Sequence, residues 1–216
     1  MPRTAAGFTV PRHLVSQAIN PRSWNTAPME LRRARFVVAQ LGRKPGKRDV
    51  LAALVGCGDL PGGPWRVVDQ RTWRSGVIGP STPWGERARQ AGSVTAWRSF
   101  RDATASRRAW VQVTPLASAQ DASDALTGIG ERTLLNVNSK VRLVSETDVH
   151  IEPFTGASAA WAREQHTESG AGPGVVLMLA GAVSECLMVM CLSGTPAWDW
   201  QSASELASVQ AARLPT

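Results

Sequence analysis

The chain of 216 residues has no tyrosine, only three cysteines and three histidines, and, before position 49, a single acidic side chain. Each scarcity excludes something. Three thiols, Cys57, Cys186 and Cys191, are an odd number and too few for a disulfide framework. Cys186 and Cys191 lie five positions apart in a run that reads as a strand, where alternation sends them to opposite faces, so they cannot bridge there. Free thiols suit a reducing compartment, and a cytoplasmic location is expected.

The histidines, His13, His150 and His166, are scattered, with no second His or Cys at metal-ligand spacing, so no metal site and no cofactor are expected. GxSxG, HExxH, GKS/T and GxGxxG are all absent. The loop at 76–85 (GVIGPSTPWG) could present backbone N–H groups to an anion, but it lacks the Lys-Ser/Thr of a P-loop. Two pairs, Glu164 with His166 and His150 with Glu152, have the spacing that puts both side chains on one strand face. No nucleophile motif accompanies either pair.

The missing acid matters more. Ten of the 24 basic residues fall in positions 1–48 against Glu30 alone, which gives that segment +9 and leaves 49–216 at −2. The basic excess therefore belongs to a tail. A nucleic-acid-binding domain needs its Lys and Arg on a folded face, so nucleic acid is not an expected partner of the body. Residues 1–48 carry five prolines and no sustained period, and are expected to be flexible, apart from a candidate short helix at 29–41. Such an Arg-rich segment resembles a transit peptide, could bind anionic lipid or polymer, or could precede a true start at Met29.

Residues 54–57 read LVGC after an apolar stretch, which resembles the lipobox before the lipidated cysteine of bacterial lipoproteins. On that reading Cys57 is acylated and the protein is anchored to a membrane. The competing reading is a short helix capped by Asp49 and ended by Gly56 and Gly58, and these start and stop signals favour it. The longest apolar run, 175–192, contains Glu185 past its centre and is broken by Gly181 and Ser184 into two pieces of strand length. A buried hairpin fits it better than a transmembrane segment.

What remains is one globular domain over 49–216, with 43% hydrophobic and 19% charged residues in the whole chain. Strands are expected at 65–74, 93–100, 109–116, 141–145, 159–167 and in the two halves of 175–192. Helices are expected at 83–90, with Thr82 as cap and Pro83 at the first position; at 118–136, with Ser118 as cap; and at 196–214, with Leu206, Val209 and Leu214 on one side. The order is β, α, β, β, α, β, β, β, β, α. It predicts an α+β fold in which an antiparallel sheet of about six to seven strands carries helices.

Nine tryptophans, eight of them at 49–216, imply a large core or a lined cleft. Three strands split alike. Thr95, Trp97 and Ser99 oppose Val94 and Ala96; Trp110, Gln112 and Thr114 oppose Ala109, Val111 and Val113; Trp161, Arg163, Gln165 and Thr167 oppose Ala160 and Ala162. Each strand thus has a small apolar face suited to a helix and a polar face bearing one Trp. That face could line a ligand cleft built from Trp97, Trp110, Gln112, Trp161, Arg163 and Gln165. Alternatively, its tryptophans pack under the closing helix, whose start carries Trp198 and Trp200.

The unit RRAWVQVTPLASAQDASDAL, the late apolar hairpin and the closing helix ASELASVQAARL resemble small α/β envelope domains of actinobacteria. These are modules similar to the PsbP/Mog1 fold and to the extracellular sensor domain of mycobacterial serine/threonine kinases. The resemblance spans about residues 60–214 and rests on element order. It implies a lipoprotein or sensor-ectodomain setting and a binding cleft between sheet and helix. The paired disulfides of the kinase sensors are not reproduced by Cys186 and Cys191. The expected function is a non-enzymatic binding or accessory module for a small molecule or a protein. The alternatives are an enzyme using Glu164 and His166 in the same cleft, and a binder of anionic polymer or lipid through the tail.

Overall fold

The computed structural model describes residues 46–74, 83–130 and 141–214. The expected tail, its helix at 29–41 and the proposed cap Thr82 lie outside them, except that Gly46, Lys47 and Arg48 open the first helix. Seven strands form one antiparallel sheet: β1 (Trp65–Arg74), β2 (Val94–Asp102), β3 (Arg108–Pro115), β4 (Val141–Val149), β5 (Ala159–Ser169), β6 (Gly172–Val183) and β7 (Cys186–Ser193). The described helices are α1 (Lys47–Ala52), α2 (Pro83–Gln90), α3 (Ala119–Gly130) and α4 (Trp200–Ala211). The α+β class and the order of elements are those the sequence predicts.

The sheet order is β1-β2-β3-β7-β6-β5-β4. Local pairing accounts for the hairpins β2–β3 and β6–β7. The late hairpin then inserts between β3 and β5, and its register runs unbroken from Arg108 opposite Ser193 to Pro115 opposite Cys186. Strands buried on both faces read as continuous apolar runs. That is why 175–192 looked membrane-like: β6 and β7 are the centre of the sheet. Ser184, at φ 50, makes the turn between them, and Cys186 and Cys191 face opposite sides as alternation requires.

One sheet face carries Ala96, Phe100, Val111, Met188, Met190 and Leu179, and packs against α1 and α4 through Val50, Leu54, Leu206 and Ala207. Gly181 lies on this face because the tip of the Phe154 ring approaches its backbone, where a Cβ would collide with it. The other face carries Leu187, Val189, Ala180 and Ala182 under α3, with Ala88 of α2 beside them.

Two helix details differ from expectation. Asp49 is not the cap of α1; Gly46 is, and Asp49 three positions on accepts its N–H at 2.8 Å. In α4 the buried stripe is Ala203, Leu206, Ala207, Gln210 and Ala211, while Val209 is 36% exposed. The stripe turns this way because Gln210 satisfies backbone groups of the segment after α1, so a polar residue faces in and a valine out. Ser118 does cap α3, its Oγ accepting the N–H of Asp121 at 3.1 Å. Asp121 goes beyond the helix-dipole role expected of it: it is buried and pairs with Arg87, joining α2 to α3.

Candidate functional site

The six residues expected to form a cleft do share one sheet face, and they fall into two groups on it. Trp97 and Gln112 are direct partners across β2 and β3, and Trp110 lies opposite Ser99 one pair further along. Trp161, Arg163 and Gln165 lie on β5. Because β7 and β6 intervene, the two groups are separated by roughly 14 Å of sheet, three strand spacings. The six therefore do not meet at a single point on the sheet.

The β5 group is internally satisfied over most of its polar atoms. Arg163 donates from Nε to Asp148 at 2.7 Å and from Nη2 to the Gly130 carbonyl at 2.9 Å, lies 3.4 Å from Glu146, and stacks 4.8 Å from the Trp161 ring. Its hydrogen bond to Asp148, with the two carboxylates nearby, raises its pKa further above the ordinary arginine value. Gln165 is wholly buried and donates to Glu146 at 3.0 Å. Its Oε1 and the Trp161 Nε1 have no hydrogen-bond partner among the described residues. The network ties edge strand β4 and the end of α3 to β5.

The β2–β3 group is more open. Trp97 and Trp110 are half-buried, Gln112 is buried, and Thr95 and Thr114 share a hydrogen bond of 3.1 Å. Trp110 touches the apolar cluster under α3 at one edge. The helix over the Trp-bearing face is therefore α3 and not the closing helix. Trp198 and Leu206 lie on the opposite face; Trp198 packs 5.6 Å from Trp65, with the Arg107 guanidinium 5.2 and 5.4 Å from the two rings. Arg107 also holds Asp102 at 2.8 Å. The N–H of Thr104 first, and then Arg107, keep the Asp102 carboxyl low, at about 2.

Glu164 and His166 do not share this face. By register they stand opposite Leu177 and Val175 on the α4 side, with His166 Nε2 at 2.9 Å from Glu164 Oε1 and Trp200 Nε1 donating to the other oxygen at 3.3 Å. Alternation along β5 is the reason: even positions face α4 and odd positions face α3. Both oxygens of the Glu164 carboxylate are thus engaged, and among the described residues no cysteine or second histidine joins the pair. Among the described residues no group of three or more His, Cys, Asp or Glu could hold a metal.

Cys57 is half-buried in a short 3-10 turn, Cys57–Asp59, packed against the main core. The residues before it, Val50, Ala53, Leu54 and Val55, are core residues. Among the described residues no helix is long and apolar enough to cross a membrane.

The sequence reading missed a cross-strand row. Register places Arg66 opposite Arg101, and Arg101 opposite Arg108, on the Trp-bearing face. The signal was available in part: Arg101 and Arg108 flank the loop of a hairpin already inferred, so pairing was bound to set them side by side.

No protein-family model matches the chain, and no curated protein does. The extracellular domain of PknH from Mycobacterium tuberculosis is similar to it, at 11% identity over 78% of this chain and 97% of that one, with a TM-score of 0.50. An uncharacterised protein from Mycobacterium smegmatis matches at 10% identity over 69% and 88%, with a TM-score of 0.40. The expected likeness to kinase extracellular domains holds at the level of fold. The PsbP/Mog1 part of that expectation is not shown.

Proposed function

We propose that the chain is a non-enzymatic binding module and that its ligand face is the β1–β3 half of the Trp-bearing sheet face. One observation carries this: Trp97, Trp110 and Gln112 sit together on that face, while α3 covers the half formed by β5, β6 and β7. Half-buried tryptophans beside an amide give an apolar wall with placed polar groups, as ligand sites require. The β5 residues Trp161, Arg163 and Gln165 support the sheet and do not line the site.

The test is a thermal-shift screen of the full chain against sugars, nucleotides, lipids and peptides, repeated with Trp97→Ala and Gln112→Ala. A ligand whose stabilisation disappears in both variants supports the reading. Hits that survive both substitutions overturn it. The fold likeness to an extracellular domain favours an envelope site over the cytoplasmic one that the thiols suggest, and immunoblotting of host cell fractions decides between them.

A further inference from the structure

Arg66, Arg101 and Arg108 form a direct row across β1, β2 and β3, each residue opposite the next in the antiparallel register. All three are exposed, and among the described residues none makes an ion pair or a side-chain hydrogen bond. Directly opposite residues in an antiparallel pair are about 5 Å apart at Cα, so the three arginines of the row stand on a backbone span of roughly 10 Å. Like charges so placed repel and destabilise the sheet. Several other arginines among the described residues are paired: Arg107 with Asp102, Arg163 with Asp148, Arg213 with Asp59 and Arg87 with Asp121. Arg66, Arg101 and Arg108 instead face solvent as a cross-strand line.

One strand pair inward from it, on the same face, come Ser99 and Trp110, and beyond them Trp97 and Gln112. The nearby acid, Asp69, is already held by Arg71 at 2.5 Å. The surface thus offers three arginines in a line whose backbone positions are about 5 Å apart, bordered by two indole rings and hydroxyl and amide groups.

The geometry points to an acidic carbohydrate as the ligand, its carboxylates on Arg66, Arg101 and Arg108 and a sugar ring over Trp110 and Trp97. This rests on the reading that the Trp-bearing face is the ligand face. Guanidinium forks match carboxylates bidentately, indoles stack on the C–H face of a sugar ring, and Ser99 and Gln112 suit its hydroxyls. Single-stranded nucleic acid fits less well, because positions 49–216 carry −2 overall and lack the broad basic field that a phosphate backbone requires. A lipid surface also fits less well. The large apolar side chains exposed near the row, Val67 and Val68, lie on the opposite face and at a bulge, and cannot insert beside the arginines.

The experiment is calorimetric titration of the full chain with a defined oligogalacturonate. The same titrations use a neutral glucan oligosaccharide, vesicles of phosphatidylcholine with phosphatidylglycerol, and oligo(dT). Two variants are compared with the parent: Arg66→Gln/Arg101→Gln/Arg108→Gln, and a tail control, Arg32→Gln/Arg33→Gln/Arg35→Gln. The expected result is binding of the oligogalacturonate alone, weakened about tenfold or more by the sheet variant and by less than about twofold by the tail control. The sheet variant is also expected to keep or raise its thermal midpoint, since it relieves repulsion, so lost binding is not lost folding. Binding that survives the sheet variant, no binding to the oligogalacturonate, or preferential binding to vesicles or oligo(dT) overturns the assignment. If the sugar fails while another ligand is lost with Trp97→Ala, the ligand face stands and only its ligand class falls.

Discussion

Gln210 carries the most exacting prediction. It is wholly buried on α4; its Oε1 accepts the N–H of Val55 at 2.8 Å and its Nε2 donates to the Ala53 carbonyl at 2.8 Å. One side-chain amide therefore stands in for a missing stretch of backbone pairing where the chain leaves α1. Arg98 serves the neighbouring carbonyls of Leu51, Leu54 and Val55, at 3.1, 3.3 and 2.7 Å. Gln210→Met keeps the length of the side chain and removes both bonds. A buried donor or acceptor left unpaired costs about 1–3 kcal/mol, so two stranded groups cost roughly 2–6 kcal/mol. That is a large part of the 5–15 kcal/mol that typically holds a domain together.

Urea unfolding followed by tryptophan emission measures the loss as a lowered midpoint at unchanged slope. Val209→Ser, one position away at 36% exposure, is the control and should stay within about 0.5 kcal/mol. Gln210→Glu adds a check on sign. One oxygen still accepts from Val55, but the other meets the Ala53 carbonyl, and burial raises the folded pKa of the new carboxyl. Its destabilisation therefore grows as pH rises through and above the ordinary glutamate value of about 4.3. A loss below about 1 kcal/mol for Gln210→Met would refute the claim that this amide locks α1 to α4.

Leu54, 1% exposed, should cost about 2–5 kcal/mol when cut to Ala; by the same packing, the peptide containing Cys57 from the native host should have its unmodified mass, since cleavage before Cys57 would remove Val50, Leu54 and Val55 from the core. Asp102, held at about 2 against an ordinary 3.8, contributes stability that is full above about pH 4 and is lost as pH falls toward 2. Asp102→Asn should therefore flatten the acid limb of thermal midpoint against pH, and an unchanged limb counts against the Arg107 and Thr104 contacts. Burial pushes the Cys186 thiol up to about 12, so alkylation of the folded protein at neutral pH should spare Cys186 until urea is added. Arg163→Met should speed amide hydrogen exchange in β4 before it affects β2, because Arg163 adds side-chain links from Asp148 and Glu146 of that edge strand to β5.

The local elements were legible because their signals are local. Pro83 opens α2 and Gln90 closes it; the loop between Arg101 and Arg108 makes a hairpin; Gly181 and Ser184 divide one apolar run into two strands. The expectation failed where the deciding contact is distant in sequence. Gln210 looks like a surface residue of α4 until Val55, 155 positions away, supplies its partner. The insertion of β6 and β7 between β3 and β5 leaves no local trace, because alternation fixes which face a side chain takes and not which strand lies beside it. Hence the six site residues shared a face, as alternation required, and yet split into two groups.

That split assigns different work to the two halves of one face. Around β5 several charges have counter-charges: Arg163 meets Asp148 and Glu146, and Arg142 meets Glu168. Around β1 to β3 the register could equally have set an acid opposite Arg101, and it sets two arginines there instead. A sheet gains nothing from such a row, and a single substitution to glutamine or glutamate would relieve it. Departures from local consistency of this kind are expected where a surface serves something other than folding. The arginine row and the tryptophans beside it are therefore read together as one surface, with the repulsion among the three charges as the cost that an anionic ligand offsets.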